Sequence, residues 1–213
     1  MHLHARSRRV MLVAALLPAL AVCLAAAGAT LTGQELVTAL QQGGYVILMR
    51  HAQSPGTPPD AGQAESANLK HERQLDETGR ASARAMGDAF RHLRISVGEV
   101  LSSPTYRALE TARFAQLPAP QTFEELGDAG KSMSPNLAGT RGAWIRSRVS
   151  QLPKAGTDTV IITHYPNISD AFPSDSRDLS EGEALVFRPD RKGVATLVGR
   201  VKIEEWPKLA SAR

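Results

Sequence analysis

Tyr45-Val-Ile-Leu-Met-Arg-His-Ala-Gln-Ser54 is the stretch on which the reading of this chain turns. Val46 to Met49 form a short continuous apolar run, the pattern of a strand buried on both faces in a parallel sheet. The run ends in Arg50-His51 and then a polar loop. Ligands in open α/β sheets bind just beyond the carboxyl ends of such strands, so this pair falls where a site is expected. Arg50 is a fixed cation, and His51 is a nucleophile that titrates near neutrality. An isolated Arg-His pair can also simply end a strand, so its meaning depends on what recurs along the chain.

Upstream, Gly33 to Gln42 places Leu36, Val37 and Leu40 at helical spacing, and Gly43-Gly44 supplies a helix stop before the strand. Residues 1–29 read as a signal peptide outside the fold. Arg6, Arg8 and Arg9 make a basic n-region, Val10 to Ala27 is apolar apart from Pro18, and Ala27-Gly28-Ala29 suits a signal peptidase. Ser7-Arg8-Arg9-Val10-Met11-Leu12 is similar to a twin-arginine signal. The apolar run is close to spanning length, which makes an uncleaved anchor the alternative. Without the leader 184 residues remain, one domain burying roughly 70% of its unfolded surface. Three arginines and no acids leave with the leader, so the formal charge falls from +4 to +1 and argues for no nucleic-acid partner. Cys23, the only cysteine, leaves too. A mature chain without disulfide or thiolate ligand suits a periplasmic or secreted domain held by its core, with no stable membrane insertion after cleavage.

Downstream, Ala52 to Lys70 is a long Pro- and Gly-rich loop that reads as an arm over the site. Glu77 to Leu93 predicts a helix with an apolar stripe of Ala81, Ala85, Met86, Ala89, Phe90 and Leu93. Ile95 to Leu101 predicts a second strand, and Thr105 to Ala115 a helix. A poorly patterned stretch runs from Gln116 to Pro135, and an amphipathic helix resumes over Asn136 to Leu152. Thr159 to Thr163 predicts a third buried strand, Glu183 to Arg188 another, and Val194 to Lys202 the second arm of a terminal hairpin. Strands alternating with helices imply an α/β three-layer sandwich: a mostly parallel central sheet, helices on both faces, and an antiparallel edge.

Three of these strands deliver reactive groups at their carboxyl ends. The first carries Arg50-His51, the second leads through Ser102-Ser103-Pro104 to Arg107, and the third runs into His164. If the three are parallel neighbours, two histidines and two arginines converge in one cleft. That set suits phosphoryl transfer, because a phosphate dianion needs fixed donors around its oxygens and the planar fork of Arg supplies them. An unprotonated imidazole is nucleophilic at neutral pH. Ser54 and Asn167 lie in loops from which they could contact phosphate. His71 reads as a surface residue, Trp144 as packing, and the histidines show no metal-ligand spacing.

These segments resemble the histidine phosphatase (phosphoglycerate mutase-like) superfamily. Arg50-His51-Ala52 is similar to its Arg-His-Gly signature, and Leu75 to Ala81 resembles its "L-[ST]-x-x-G-x-x-A" stretch. Ser102-Ser103-Pro104-Thr105-Tyr106-Arg107-Ala108-Leu109-Glu110-Thr111-Ala112 resembles "S-S-P-x-x-R-x-x-x-T-A", and Thr163-His164 resembles the segment with its second catalytic histidine. The resemblance spans about Tyr45 to Arg200 and implies a phosphoglycerate mutase-like fold. It also implies a phosphatase of phosphomonoesters without metal or cofactor, acting on a small phosphorylated substrate or a phosphoprotein. His51 would form a phosphohistidine, with Arg50, Arg107 and His164 around the phosphoryl oxygens. The proton donor would be an acid after the Thr-Ala helix: Glu125 foremost, with Glu124 and Asp128 as alternatives. A non-catalytic phosphate-binding envelope protein that keeps the pocket is the competing class. Two departures stand out: Ala52 replaces a Gly whose backbone freedom it lacks, and the pattern around the expected proton donor is not clear; Tyr165, where the other branch of the family has Asp, argues against that branch.

Overall fold

The computed structural model describes residues 30–128 and 139–212. The leader expected over 1–29 lies outside them, as do the first residues of the helix expected over 136–152. Helix α1 (Gly33–Gln42) precedes β1 (Val46–Arg50), α2 (Glu77–His92), β2 (Val97–Ser102), α3 (Tyr106–Phe114) and the two-residue β3 (Gln121–Thr122). A 3₁₀ turn (Glu124–Leu126) follows, then α4 (Arg141–Val149), β4 (Asp158–Thr163), α5 (Tyr165–Ala171), β5 (Ala184–Pro189), β6 (Ala195–Val201) and α6 (Glu205–Ser211). Among the described residues no helix is long and apolar enough to cross a membrane.

One six-stranded sheet has the order β3-β2-β4-β1-β5-β6. The first four are parallel, while β5 and β6 run antiparallel as the edge. Strand β4 lies between β1 and β2, which satisfies the condition for convergence of the three reactive ends. Alternation along β1 feeds two cores: Ile47 and Met49 point to α1, α2, α3 and α6, whereas Val46 and Leu48 point to α4 and α5. These four side chains are at most 1% exposed. Burying each stabilises by roughly 1.5–3 kcal/mol, so the strand that carries Arg50 and His51 is anchored on both faces.

Two sequence expectations shift, and one helix is new. The buried face of α2 runs through Gly79, Ala83, Met86, Gly87, Ala89 and Phe90, while Ala81 is exposed and Ala85 half-buried. The helix rolls onto its glycines because backbone passes close there: a Cβ on Gly79 would lie 2.1 Å from Gln53 O. Tyr165-Pro166-Asn167-Ile168, expected as loop, is the start of α5, since Pro is compatible with a first helical turn. Helix α6, too short for a periodic signal, buries Trp206 edge-on against Phe90 with ring centroids 4.8 Å apart.

Candidate active site

Parallel pairing places Arg50 opposite Thr163, and His51 N–H donates to Thr163 O at 3.0 Å. His51 and His164 therefore leave adjacent strand ends, with ring centroids 5.2 Å apart. On the other side of β4, Ser103 N–H donates to Ile162 O at 2.9 Å, and the following turn sets Arg107 in the first turn of α3. Arg107 reaches both histidines: its Nε donates to His51 Nε2 and its Nη2 to His164 Nδ1, each at 3.1 Å. The three residues are only 3–4% exposed.

These bonds fix the tautomers. His51 Nδ1 faces Ala52 O at 2.8 Å and must donate, which leaves the Nε2 lone pair directed at Arg107. His164 is the reverse: Nδ1 accepts from Arg107, and Nε2 donates to Ser103 Oγ at 2.9 Å, with Thr105 Oγ1 at 3.4 Å. Burial lowers the His51 pKa to about 3, helped by the positive charge of Arg107, Arg50 and Arg73 and opposed by the bond to Ala52. Burial, then Arg107 and His51, hold His164 well below the ordinary imidazole value. Both rings are neutral bases near pH 7.

The surrounding motif residues secure this geometry. Thr111 Oγ1 donates to Arg107 O at 2.9 Å and accepts Ala52 N–H at 3.1 Å, tying α3 to the residue after His51. Ala52 is fully buried and has no positive φ, so the freedom of Gly is not needed there. Glu110, 1% exposed, accepts Leu75 N–H at 2.6 Å and thereby pins the end of the long loop.

The other expected residues fall into distinct places. Arg50 adjoins His51, and its guanidinium donates to Leu179 O and Glu181. Ser54 Oγ donates to Gln74 O at 2.8 Å, within the loop. Asn167 Nδ2 is occupied by Leu126 O, Gly127 O and Thr163 Oγ1, so this side chain fastens the 3₁₀ turn to β4. Glu124 is exposed and Glu125 half-buried on that turn, and neither bonds to the histidines or Arg107; Asp128 does, through an ion pair with Arg107 Nη2. His71 is exposed, Trp144 is half-buried against Phe123, and Tyr165 is 38% exposed at the start of α5. Sequence reasoning missed Arg73. Its guanidinium is held by Ser54 O and Pro55 O, and its charge acts on His51, His164 and Arg107. Among the described residues no group of three or more His, Cys, Asp or Glu could hold a metal ion.

A neutral imidazole with a directed lone pair, bonded to one arginine and under the charge of two more, is suited to phosphoryl transfer. The sequence model of the histidine phosphatase superfamily (branch 1) matches residues 46–128, the stretch that holds His51 and Arg107. Over this stretch the chain is similar to that superfamily. His164 lies beyond the matched stretch and is joined to it by the β1–β4 register. The solved protein histidine phosphatase SixA, complexed with tungstate, is 18% identical, with a TM-score of 0.55 over 76% of this chain and 98% of its own. A mutant phosphoserine phosphatase from Entamoeba histolytica, in complex with phosphoserine, is 14% identical, with a TM-score of 0.50 over 75% of this chain and 98% of its own. At such identities the likeness is one of fold. No curated protein matches the chain.

Proposed function

We propose that the chain is a histidine phosphatase that hydrolyses a phosphomonoester through a phosphohistidine on His51 Nε2. The observation that carries the reading is the tautomer lock: with Nδ1–H on Ala52 O, the lone pair that faces the arginines belongs to Nε2. In the first step Nε2 bonds to phosphorus, the ester P–O bond breaks, and the leaving oxygen takes a proton. In the second, water bonds to phosphorus, the N–P bond breaks, and the water's proton is taken up. Arg50, Arg73 and Arg107 bind the equatorial oxygens, and His164 Nδ1 shares Arg107 with the nucleophile. Of the acids expected as proton donor, Asp128 is favoured by its contact with Arg107, and Glu125 is the alternative. The leader motivates a periplasmic or secreted location, with a small phosphorylated molecule or phosphoprotein as substrate. SixA, named for phosphohistidine chemistry, makes a protein phosphohistidine the second candidate.

The test is p-nitrophenyl phosphate hydrolysis by the chain from Thr30 onward, with EDTA present, beside His51→Ala. Expected is turnover by the parent, none by the variant, and a phosphorylated parent on rapid acid quench. Absence of turnover in both, with vanadate still bound, would select the non-catalytic binding protein. For the donor, Asp128→Asn is expected to slow poor leaving groups far more than p-nitrophenolate, which needs little acid assistance. Equal slowing of both esters rejects that assignment.

A further inference from the structure

The turn that enters β5 grips the Arg50-His51 step from outside the catalytic cluster. Arg50 N–H donates to Glu183 O at 3.1 Å, and Gly182 N–H donates to His51 O at 2.8 Å. The same turn holds the Arg50 side chain. Nη1 donates to Leu179 O at 3.2 Å, and Nη2 donates to Glu181 Oε1 at 3.0 Å. The second oxygen of Glu181 lies 3.4 Å from Ser54 N–H, at the start of the long loop. The turn is itself braced. Glu183, 2% exposed, accepts Ser180 N–H at 2.8 Å and pairs with Arg200. Gly182 has φ +75°, and a Cβ there would meet the Ile203 side chain at 2.8 Å.

We propose, resting on the phosphatase reading above, that Glu181 is the positioning residue for Arg50: it aims the guanidinium at the phosphoryl group beside His51. A free arginine at a strand end samples many rotamers, and a misplaced donor contributes little to a transition state. Two acceptors, one on each terminal nitrogen, fix the plane of the fork and leave its other N–H groups for a ligand. The side chains of Arg50 and Glu181 are 26% and 23% exposed, so solvent screens their attraction. Orientation by an acceptor oxygen is therefore the main contribution of Glu181, and glutamine retains such an oxygen.

A double-mutant cycle tests this, with Glu181→Ala, Arg50→Ala and the pair read by kcat/KM for p-nitrophenyl phosphate and by calorimetric vanadate affinity. Glu181→Ala is expected to lower both quantities about tenfold, and Glu181→Gln less than about threefold. In the Arg50→Ala background, Glu181→Ala is expected to change neither by more than about twofold. Equal losses in both backgrounds, no loss in either, or a glutamine variant as impaired as the alanine one would overturn the proposal. Glu181→Ser, too short to reach Arg50, replaces the alanine variant if that chain does not fold, with the same expectations. Vanadate affinity needs no turnover, so a chain that binds vanadate without hydrolysis would fail the phosphatase reading while the cycle still decides the role of Glu181.

Discussion

Helix α3 carries two arginines with opposite surroundings. Arg107, 4% exposed, is bonded to two neutral imidazoles in the interior, and it pairs with Asp128 at the rim, whose side chain is 34% exposed. Arg113, its side chain 54% exposed, pairs with Glu65 at 2.7 Å and with Glu110 at 3.3 Å, and the Glu110 side chain is 1% exposed. Arg80 joins the same two acids, and Tyr106 donates to Glu65 at 2.8 Å. In the first cluster the interior imidazoles are neutral and the acid faces water. In the second the acid is interior and the cations are outside. A rim carboxylate can swing from Arg107 toward the leaving oxygen when a dianion arrives, so the charge of Arg107 becomes available to a ligand. An interior acid has no such exit: Glu110 stays on Leu75 N–H while Glu65 pairs with both arginines, so the cluster works as a clamp on the long loop.

The largest effect expected from this contrast lies in catalysis. Arg107→Ala should lower kcat/KM for p-nitrophenyl phosphate by about 10²–10³, the loss typical of one preorganised donor to a transition-state oxyanion. Arg107→Lys should restore little, because a point charge cannot reach His51, His164 and Asp128 as the planar fork does. Arg113→Ala should leave kcat/KM within about twofold and cost about 0–1 kcal/mol of stability, as for exposed ion pairs. Comparable catalytic losses from the two alanine variants would break the distinction between site and clamp.

The sequence displayed one half of this contrast far better than the other. Arg50, His51 and His164 are legible because each closes a continuous apolar run, and Arg107 because a helix starts at a fixed distance from the second strand. Their convergence needed only the parallel order β2-β4-β1. Arg73 and Glu181 were not legible. Arg73 sits in a loop without periodicity and is aimed by the carbonyls of Ser54 and Pro55. Glu181 meets Arg50 across 131 residues, through the antiparallel pairing of β5 with β1 that sets the preceding turn beside the site. The choice among Glu124, Glu125 and Asp128 was equally hidden. A 3₁₀ turn followed by extended backbone sends neighbouring side chains in different directions, and composition does not say which faces Arg107. Asn167 was expected in a loop; Pro166 instead sits in a first helical turn, and the amide turns to the backbone.

A second, smaller effect should appear as opposite pH dependences of stability. The His51 pKa falls from 6.5 to about 3 on folding, so below pH 6.5 the unfolded chain takes up a proton that the folded chain refuses. Its contribution is complete above pH 6.5 and is lost progressively as pH falls toward 3, with a slope of at most about 1.4 kcal/mol per pH unit. His164 acts in the same sense. Glu110 has the other sign: burial raises its pKa from 4.5 to about 7, so the folded chain holds a proton that the unfolded chain has released. That contribution is present below pH 4.5 and is lost as pH rises through 7. Denaturant titrations from pH 3 to 8 should therefore show a flatter acid limb for His51→Asn and a steeper one, between pH 7 and 4.5, for Glu110→Gln. Shifts of the same sign in both variants would show that the two interiors do not differ in the way their tautomers and partners imply.

The smallest effect expected separates bond length from burial as the source of that difference. Arg91 and Asp88, one turn apart on α2, approach to 2.6 Å, closer than Arg113 and Glu110 at 3.3 Å. Their side chains are nonetheless 45% and 73% exposed. Water solvates both charges in either state, and salt at 1 M shortens the screening length to about 3 Å. Asp88→Asn should therefore change stability by less than about 0.5 kcal/mol at low salt and by nothing measurable at 1 M. Glu110→Gln, despite the longer contact, should exceed it at every salt concentration, since it alters the interior acceptor of Leu75 N–H. If the surface variant proved the more damaging, short distance rather than burial would rank the ion pairs, and the assignment of Arg107 to the site and Arg113 to the clamp would lose its physical ground.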